Sequence, residues 1–303
     1  MIDLRSLAAL VDRYGDDLDL PVATFDIGGT AYDTDTTPVL MGIVNLSQDS
    51  WYRESVVPDA PGALRLGRVL AAQGAHVVDV GAESVQDHAE RVGAERQADQ
   101  LVPVVEDLVA AGVPVSVESY HPSVVEACLK AGAAVLNLTG SGADEEMFDL
   151  AGRYSASVVM CDVGGENPRE LERTDGPDAD PMGAALDRFA ARIEHARSLG
   201  VRSLAVDPGV GFGFAWSPTY ADRARYQAAV LLQTFRLRRL GVPVCHALPA
   251  AMNHFREEVT TAEGFFAVLA SLGRTGVVRT HEISRVRAVL AALGDFSPDP
   301  DQG

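Results

Sequence analysis

The chain has 303 residues, 47% of them hydrophobic, which is ample for a sizeable core, and its 43 acids against 25 bases give a net charge of −18. That acidity makes nucleic acid and anionic membrane surfaces poor partners. No apolar run approaches the ~20 residues a membrane helix needs, and the N-terminus MIDLRSLAALVDRYGDD has no basic segment of the kind that opens a secretion signal, so a cytoplasmic protein is expected. Cys128, Cys161 and Cys245 are scattered without metal-ligand spacing and read as reduced thiols. Lys130 is the only lysine and sits in a helical pattern, which argues against a Schiff-base or P-loop lysine.

In chain order, residues 1–20 read as an amphipathic helix, and ATFDIGGTAYD (23–33) as a β-hairpin around its Gly-Gly turn, placed to plug the bottom of a barrel. Strands and helices then alternate. A strand over 38–45 precedes a helix over 60–75, and 76–81 precedes a helix over 93–111. The third strand, 113–119, is followed by a helix over 122–131, with Pro122 suited to its first turn. The fourth, 134–138, leads to a helix near 145–154. The fifth, 156–163, leads through a polar connection over 164–181 to a helix over 183–199. The sixth, 202–207, precedes a helix over 219–240, and the seventh, 242–248, a helix over 260–272. The eighth, 276–280, is followed by a closing helix over 283–293. Eight βα units predict an α/β fold, a (β/α)8 TIM barrel, in a single domain: residues 1–37 as helix and hairpin, 38–293 as barrel, 294–303 as a disordered tail. An open doubly wound sheet would carry a Gly-rich dinucleotide loop after its first strand, and NLSQDSWY is not one.

A barrel carries its site at the C-terminal ends of its strands. Those ends supply Asn45 through Ser50, including Asp49; then Asp79 and Glu83-Ser84; Glu118-Ser119; Asn137 to Thr139; and Cys161-Asp162. Asp207 opens DPGVGFG with Phe212, His246 follows, and Arg279, His281 and Glu282 complete the ring. Acids, amides and one Arg/His pair suit a polar substrate with an anionic part. Arg279 and His281 lie two apart, can share a face, and make a phosphate or diphosphate clamp. Some of these readings stay open. Asp79, within VVDVG, is equally a buried structural carboxylate. His246, within VCHALP, reads first as a satisfied core histidine and only second as a catalytic group. Cys161 and Cys245 read as core filler.

The order of these motifs resembles the dihydropteroate synthase family of pterin-binding barrels. MGIVNLSQDSW resembles its first-strand signature, and FDIGGTAYD its hairpin. VVDVGAES, VSVESY, VLNLTGSG, AVDPGVGFG and VRTHEI follow in the family's order, over roughly residues 24–293. The resemblance implies a transferase that condenses a pterin-methyl diphosphate with p-aminobenzoate and releases pyrophosphate, helped by Mg²⁺. It implies catalytic roles for Asn45, Asp207, Arg279 and His281, with Asn45 holding Mg²⁺ and diphosphate. Asp49, Glu118, Asn137, Asp162, Phe212 and His246 are assigned to substrate binding. It also implies small-molecule substrates and a homodimer.

The chain departs from the pattern at several points. Ser84-Val85-Gln86 replaces Ser-Thr-Arg, and Glu118 stands for Asp. Phe214, with Trp216 close by, follows GFG where a polar residue is expected. Pro249-Ala250-Ala251-Met252 replaces a run whose Lys contacts pterin, leaving Ala251 at that place. The expectation is therefore a related transferase acting on a pterin-like or other heterocyclic methyl diphosphate and an amine-type nucleophile, distinct from the housekeeping folate enzyme. The alternatives are a non-catalytic ligand-binding paralogue, or a methyltransferase or lyase on the same barrel.

Overall fold

The computed structural model describes residues 1–47, 55–57, 59–84, 89–168, 179–212 and 219–296. Eight parallel strands form the barrel: β3 (Val39–Asn45), β4 (Val77–Gly81), β5 (Val115–Glu118), β6 (Val135–Thr139), β7 (Ser157–Cys161), β8 (Leu204–Asp207), β9 (Cys245–Ala247) and β10 (Val277–Thr280). They are ordered β8-β7-β6-β5-β4-β3-β10-β9. A single bridge, Val206 to Val244, draws the two ends together. The fold is an α/β TIM barrel, as the alternating pattern predicts.

The strands are rich in Val because they are buried on both faces, as parallel strands covered by helices must be. Side chains alternate in and out. Val39, Met41, Val77, Val135, Val159, Ala205, Cys245 and Val277 cluster inside the barrel. Leu40, Val44, Val78, Val80, Val117, Leu136, Val158, Val206 and Val278 pack outward in a second cluster with the helices. Beneath the inner cluster, the hairpin β1 (Phe25–Ile27) and β2 (Thr30–Tyr32) delivers Phe25 and Ile27 as a plug. Ser157 Oγ donates to Asp26 O at 2.7 Å, and Asp26 N donates to Ser203 Oγ at 2.9 Å, which ties the plug to the barrel. Full burial of Phe25 contributes about 2–3 kcal/mol.

Ten helices are described: α1 (Leu4–Tyr14), α2 (Ala60–Gln73), α3 (Ala94–Ala110), α4 (Pro122–Lys130), α5 (Asp144–Tyr154), α6 (Pro181–Ser198), α7 (Tyr220–Gln233), α8 (Met252–Phe255), α9 (Val259–Leu272) and α10 (Ile283–Asp295). Their ends follow local chemistry. Asp59 caps α2 by accepting from Gly62 N at 2.6 Å, and Thr219 caps α7 by accepting from Asp222 N at 3.1 Å. α2 stops at Gly74, whose φ of 109° a side chain would resist.

Three expectations need correction. The helix expected over 219–240 ends at Gln233 and tightens into a 3₁₀ turn, Thr234–Leu240. There the Thr234 hydroxyl donates to Val230 O at 3.1 Å, and the turn lodges Arg236 and Arg238 in ion pairs with Asp180 and Asp35. The N-terminal helix is shorter than expected and gives way to a 3₁₀ turn at Gly15–Asp17. The closing helix reaches Asp295, into the expected tail, of which 297–303 lie outside the described residues.

Candidate active site

The inward positions change character toward the top of the barrel. Valines give way to Asp79, Ser116, Glu118, Asn137, Thr139, Asp207 and Arg279, and six of the eight strands contribute to the polar mouth of the barrel once Asn45 is included. Asp79, 1% exposed, is the hub. Its carboxylate accepts from Ser116 Oγ at 2.6 Å, Asn137 Nδ2 at 3.0 Å and Arg279 Nε at 2.7 Å. Arg279 Nη2 donates to Glu118 Oε2 at 2.9 Å, and Thr139 Oγ1 donates to Glu118 Oε1 at 3.0 Å. Strands β4, β5, β6 and β10 are thereby cross-braced, and the guanidinium is held in one orientation. Two of its five N–H groups serve these bonds, and the others remain for a ligand.

Above this layer lies a cleft of ≈ 300 Å³ lined by Glu118, Asn137, Thr139, Asp207, Arg279 and His281 among others. Apart from Arg223 and Gln227, its remaining wall is mostly apolar and aromatic: Phe212, Tyr220, Leu248, Pro249, Ala250, Ala251 and Met252. Burial raises the pKa of Asp207 to about 7, although Gly209 N donates to Oδ1 at 2.8 Å and Arg279 acts in the opposite sense. Glu118 is likewise pushed upward by burial, against the pull of Arg279. Burial alone would weaken the charge on Arg279, but Asp79 and Glu118 outweigh it and hold the guanidinium protonated.

Of the residues singled out from the sequence, Glu118, Asn137, Asp207, Phe212, Arg279 and His281 meet at this cleft. Asn45 stands at the end of β3, where its Nδ2 donates to Ser55 Oγ at 2.7 Å; Ser55 and His281 together line a second pocket between α2 and α10, above Ile43 of β3. Asp162 turns away: it pairs with Arg188 Nε of α6 at 2.5 Å and accepts from Gly164 N at 3.0 Å, and so anchors a helix. His246 also lies elsewhere. It pairs in register with outward Val278, while its neighbours Cys245 and Ala247 pair with Val277 and inward Arg279. It is 0% exposed, and its Nε2 lies 2.8 Å from Thr234 Oγ1. Burial lowers its pKa to about 3, so it stays neutral as a wedge between sheet and helix. Asp49, Val85, Gln86, Phe214 and Trp216 lie outside the described residues.

Sequence reasoning missed Tyr220, Arg223 and Gln227 from α7, all lining the cleft, and Glu263. Glu263 sits on α9 at 1% exposure and binds His281 Nδ1 at 2.7 Å. Its one signal was an acid inside the apolar run of that helix.

Among the described residues no cluster of three His, Cys, Asp or Glu side chains could hold a metal. A Mg²⁺ would need no such cluster if it took one or two protein oxygens and filled its shell with water and ligand oxygens; the Asn45 amide is the candidate ligand for it.

The pterin binding enzyme family matches residues 41–248 of the chain. This protein belongs to that family. It is 31% identical to the dihydropteroate synthase type-2 of Escherichia coli over 270 residues, spanning 84% of this chain and 96% of the relative. With the dihydropteroate synthase of Synechocystis sp. it shares 27% identity over 72% of this chain and 73% of the other. The solved dihydropteroate synthase of Xanthomonas albilineans with 4-aminobenzoic acid superposes with a TM-score of 0.74 at 28% identity, covering 92% of this chain and all of that one. That of Thermus thermophilus in complex with 4-aminobenzoate gives 0.73 at 26% identity, covering 90% of this chain and all of that one. Among the described residues no helix is long and apolar enough to cross a membrane.

Proposed function

We propose that this chain is a dihydropteroate synthase-like transferase that joins a pterin-like or other heterocyclic methyl diphosphate to an amine-type nucleophile. The bond between the methylene carbon and the diphosphate oxygen breaks, and its electron pair leaves with pyrophosphate. The amine nitrogen then bonds that carbon and releases its proton to solvent. The observation that carries this reading is the polarity of one cleft: acids and an amide on its floor, His281 at its rim, and α10 beginning two residues after His281.

The floor holds Asp207, Glu118 and Asn137, which match the donors of a ring edge bearing amino and ring N–H groups. The floor carries more acid than base, so an anion placed there is repelled. A diphosphate is better served at the rim, by His281, the N–H groups of Arg279 not bound to Asp79 and Glu118, and the amides at the start of α10. A Mg²⁺ held by the Asn45 amide and the diphosphate would neutralise the leaving group's charge.

The apolar wall supports a member distinct from the housekeeping folate enzyme. Ala250, Ala251 and Met252 offer no charged hydrogen bond to a ring, whose loss removes on the order of 1.5–3 kcal/mol. The family resemblance extends to a homodimer, and exposed Phe265 on α9, 5.9 Å from the Phe255 ring, gives the late helices an apolar face for it.

The experiment is calorimetry with pyrophosphate and Mg²⁺ on the native chain and on Arg279→Lys and His281→Ala. Binding by the native chain that weakens in both variants supports the reading; no binding by the native chain ends it. A non-catalytic binder has one observation in its favour, the engagement of Arg279 by two carboxylates. It predicts ligand binding without pyrophosphate release for any amine offered.

A further inference from the structure

His281 is the last residue before the α10 cap, and the carboxylate behind it comes from a different layer of the fold. α9 packs against the outer face of β10 and carries Ala262, Glu263, Phe266, Ala267 and Ala270 on its buried side. Glu263 is the one ionisable group in that set. Its Oε2 accepts from the Thr280 hydroxyl, from His281 N at 3.0 Å and from Glu282 N at 3.2 Å. Its Oε1 lies 2.7 Å from His281 Nδ1. At 1% exposure, both oxygens of this side chain find their hydrogen-bond partners within the fold. His281 lines both the main cleft and the second pocket between α2 and α10, so its ring sits where the two meet.

We propose that Glu263 is the positioning residue for His281: it holds the imidazole by Nδ1–H and so makes Nε2 the nitrogen offered to the phosphate-bearing ligand. The ligand class rests on the function proposed above; the positioning role does not. A carboxylate partner fixes both the tautomer and the orientation of a histidine ring. Here the bond also couples the ring to the backbone amides of His281 and Glu282, so one side chain sets the β10–α10 corner and the ring together.

The substitution Glu263→Gln discriminates sharply. The oxygen side must still face three donors, so the carboxamide oxygen takes the Oε2 position. Its NH2 then faces Nδ1, which has to become an acceptor. The neutral ring is thereby driven to the Nε2–H tautomer.

Long-range ¹H–¹⁵N correlation NMR on the full chain reads the tautomer directly. Nδ1–H in the native chain and Nε2–H in Glu263→Gln are expected; Nε2–H in the native chain overturns the proposal without any variant, as does an unchanged tautomer in Glu263→Gln. Calorimetry with Mg²⁺ and inorganic pyrophosphate is the second arm. Glu263→Gln is expected to bind about tenfold more weakly than native. Thr280→Val, which touches the same carboxylate but not the ring, is expected to stay within about twofold of native. Equal affinity in Glu263→Gln and native overturns the proposal. Absence of pyrophosphate binding by the native chain instead removes the proposed function, and the tautomer still decides the role of Glu263.

Discussion

The inner and outer faces of the same strands hold similar chemistry to different ends. On the inner face, Arg279, Asn137 and Asp207 open onto a cleft and keep hydrogen-bonding capacity in hand. On the outer face, His246 and Thr280 are sealed against Thr234 and Glu263 of the helix layer. A single residue of register separates the two classes, because successive side chains point to opposite sides of a sheet. Residue type alone therefore does not mark a functional group at a strand end; parity does, and it is read from a neighbour whose direction is known.

The largest expected effect breaks the inner face. Arg279→Ala leaves Asp79 as an uncompensated buried carboxylate beside a half-buried Glu118, and chemical denaturation should show a loss of about 3–5 kcal/mol. Arg279→Lys should lose less, since the charge is kept and only the fork geometry goes.

Next come two titrations of opposite sign. Asp207, raised from 3.8 to about 7, favours the folded state fully below pH ~4 and loses that contribution as pH rises to about 7. His246, lowered from 6.5 to about 3, contributes fully above pH ~6.5, and the contribution is lost as pH falls toward 3. The windows overlap between about pH 4 and 6.5, so the two slopes, each up to about 1.4 kcal/mol per pH unit, oppose one another. Asp207→Asn should make stability rise more steeply with pH than in the native chain. His246→Phe should make it rise less steeply or fall. Denaturant midpoints across that window check both, and parallel curves for native and variants would contradict the assigned environments.

The smallest effect concerns the wall. Ala251 adopts φ 44° at the start of α8, a left-handed conformation that costs a non-glycine residue roughly 1 kcal/mol. Ala251→Gly should leave stability level or raise it by up to about 1 kcal/mol in thermal melts.

Much of this could be read in the chain beforehand. The alternation of strands and helices and the polar residues closing five of the eight barrel strands came through because buried parallel strands leave uniform apolar runs with abrupt ends. The pairing of Arg279 with Asp79 and Glu118 did not, since it joins residues 200 and 161 positions apart through barrel closure. Asp162 looked like its neighbours at other strand ends, and only the position of α6 shows that Arg188 draws it away. His246 could have been placed from its alternation with Cys245 and Ala247, once Arg279 was taken as inward. Glu263 lay on a helix, outside the set of strand ends where a barrel site is sought.

The closure of the barrel has a mechanical consequence. Seven junctions between neighbouring strands are continuous ladders, and the eighth, between β8 and β9, is held by the one bridge from Val206 to Val244. Elastic compliance is thus concentrated along one seam, which runs up to Asp207 on one side and to the apolar run Leu248–Met252 on the other. A guest larger than the resting cleft would part the barrel there at least cost, and the acid and the oily wall would move apart like the lips of a slit tube while the cross-braced strands opposite stayed in place.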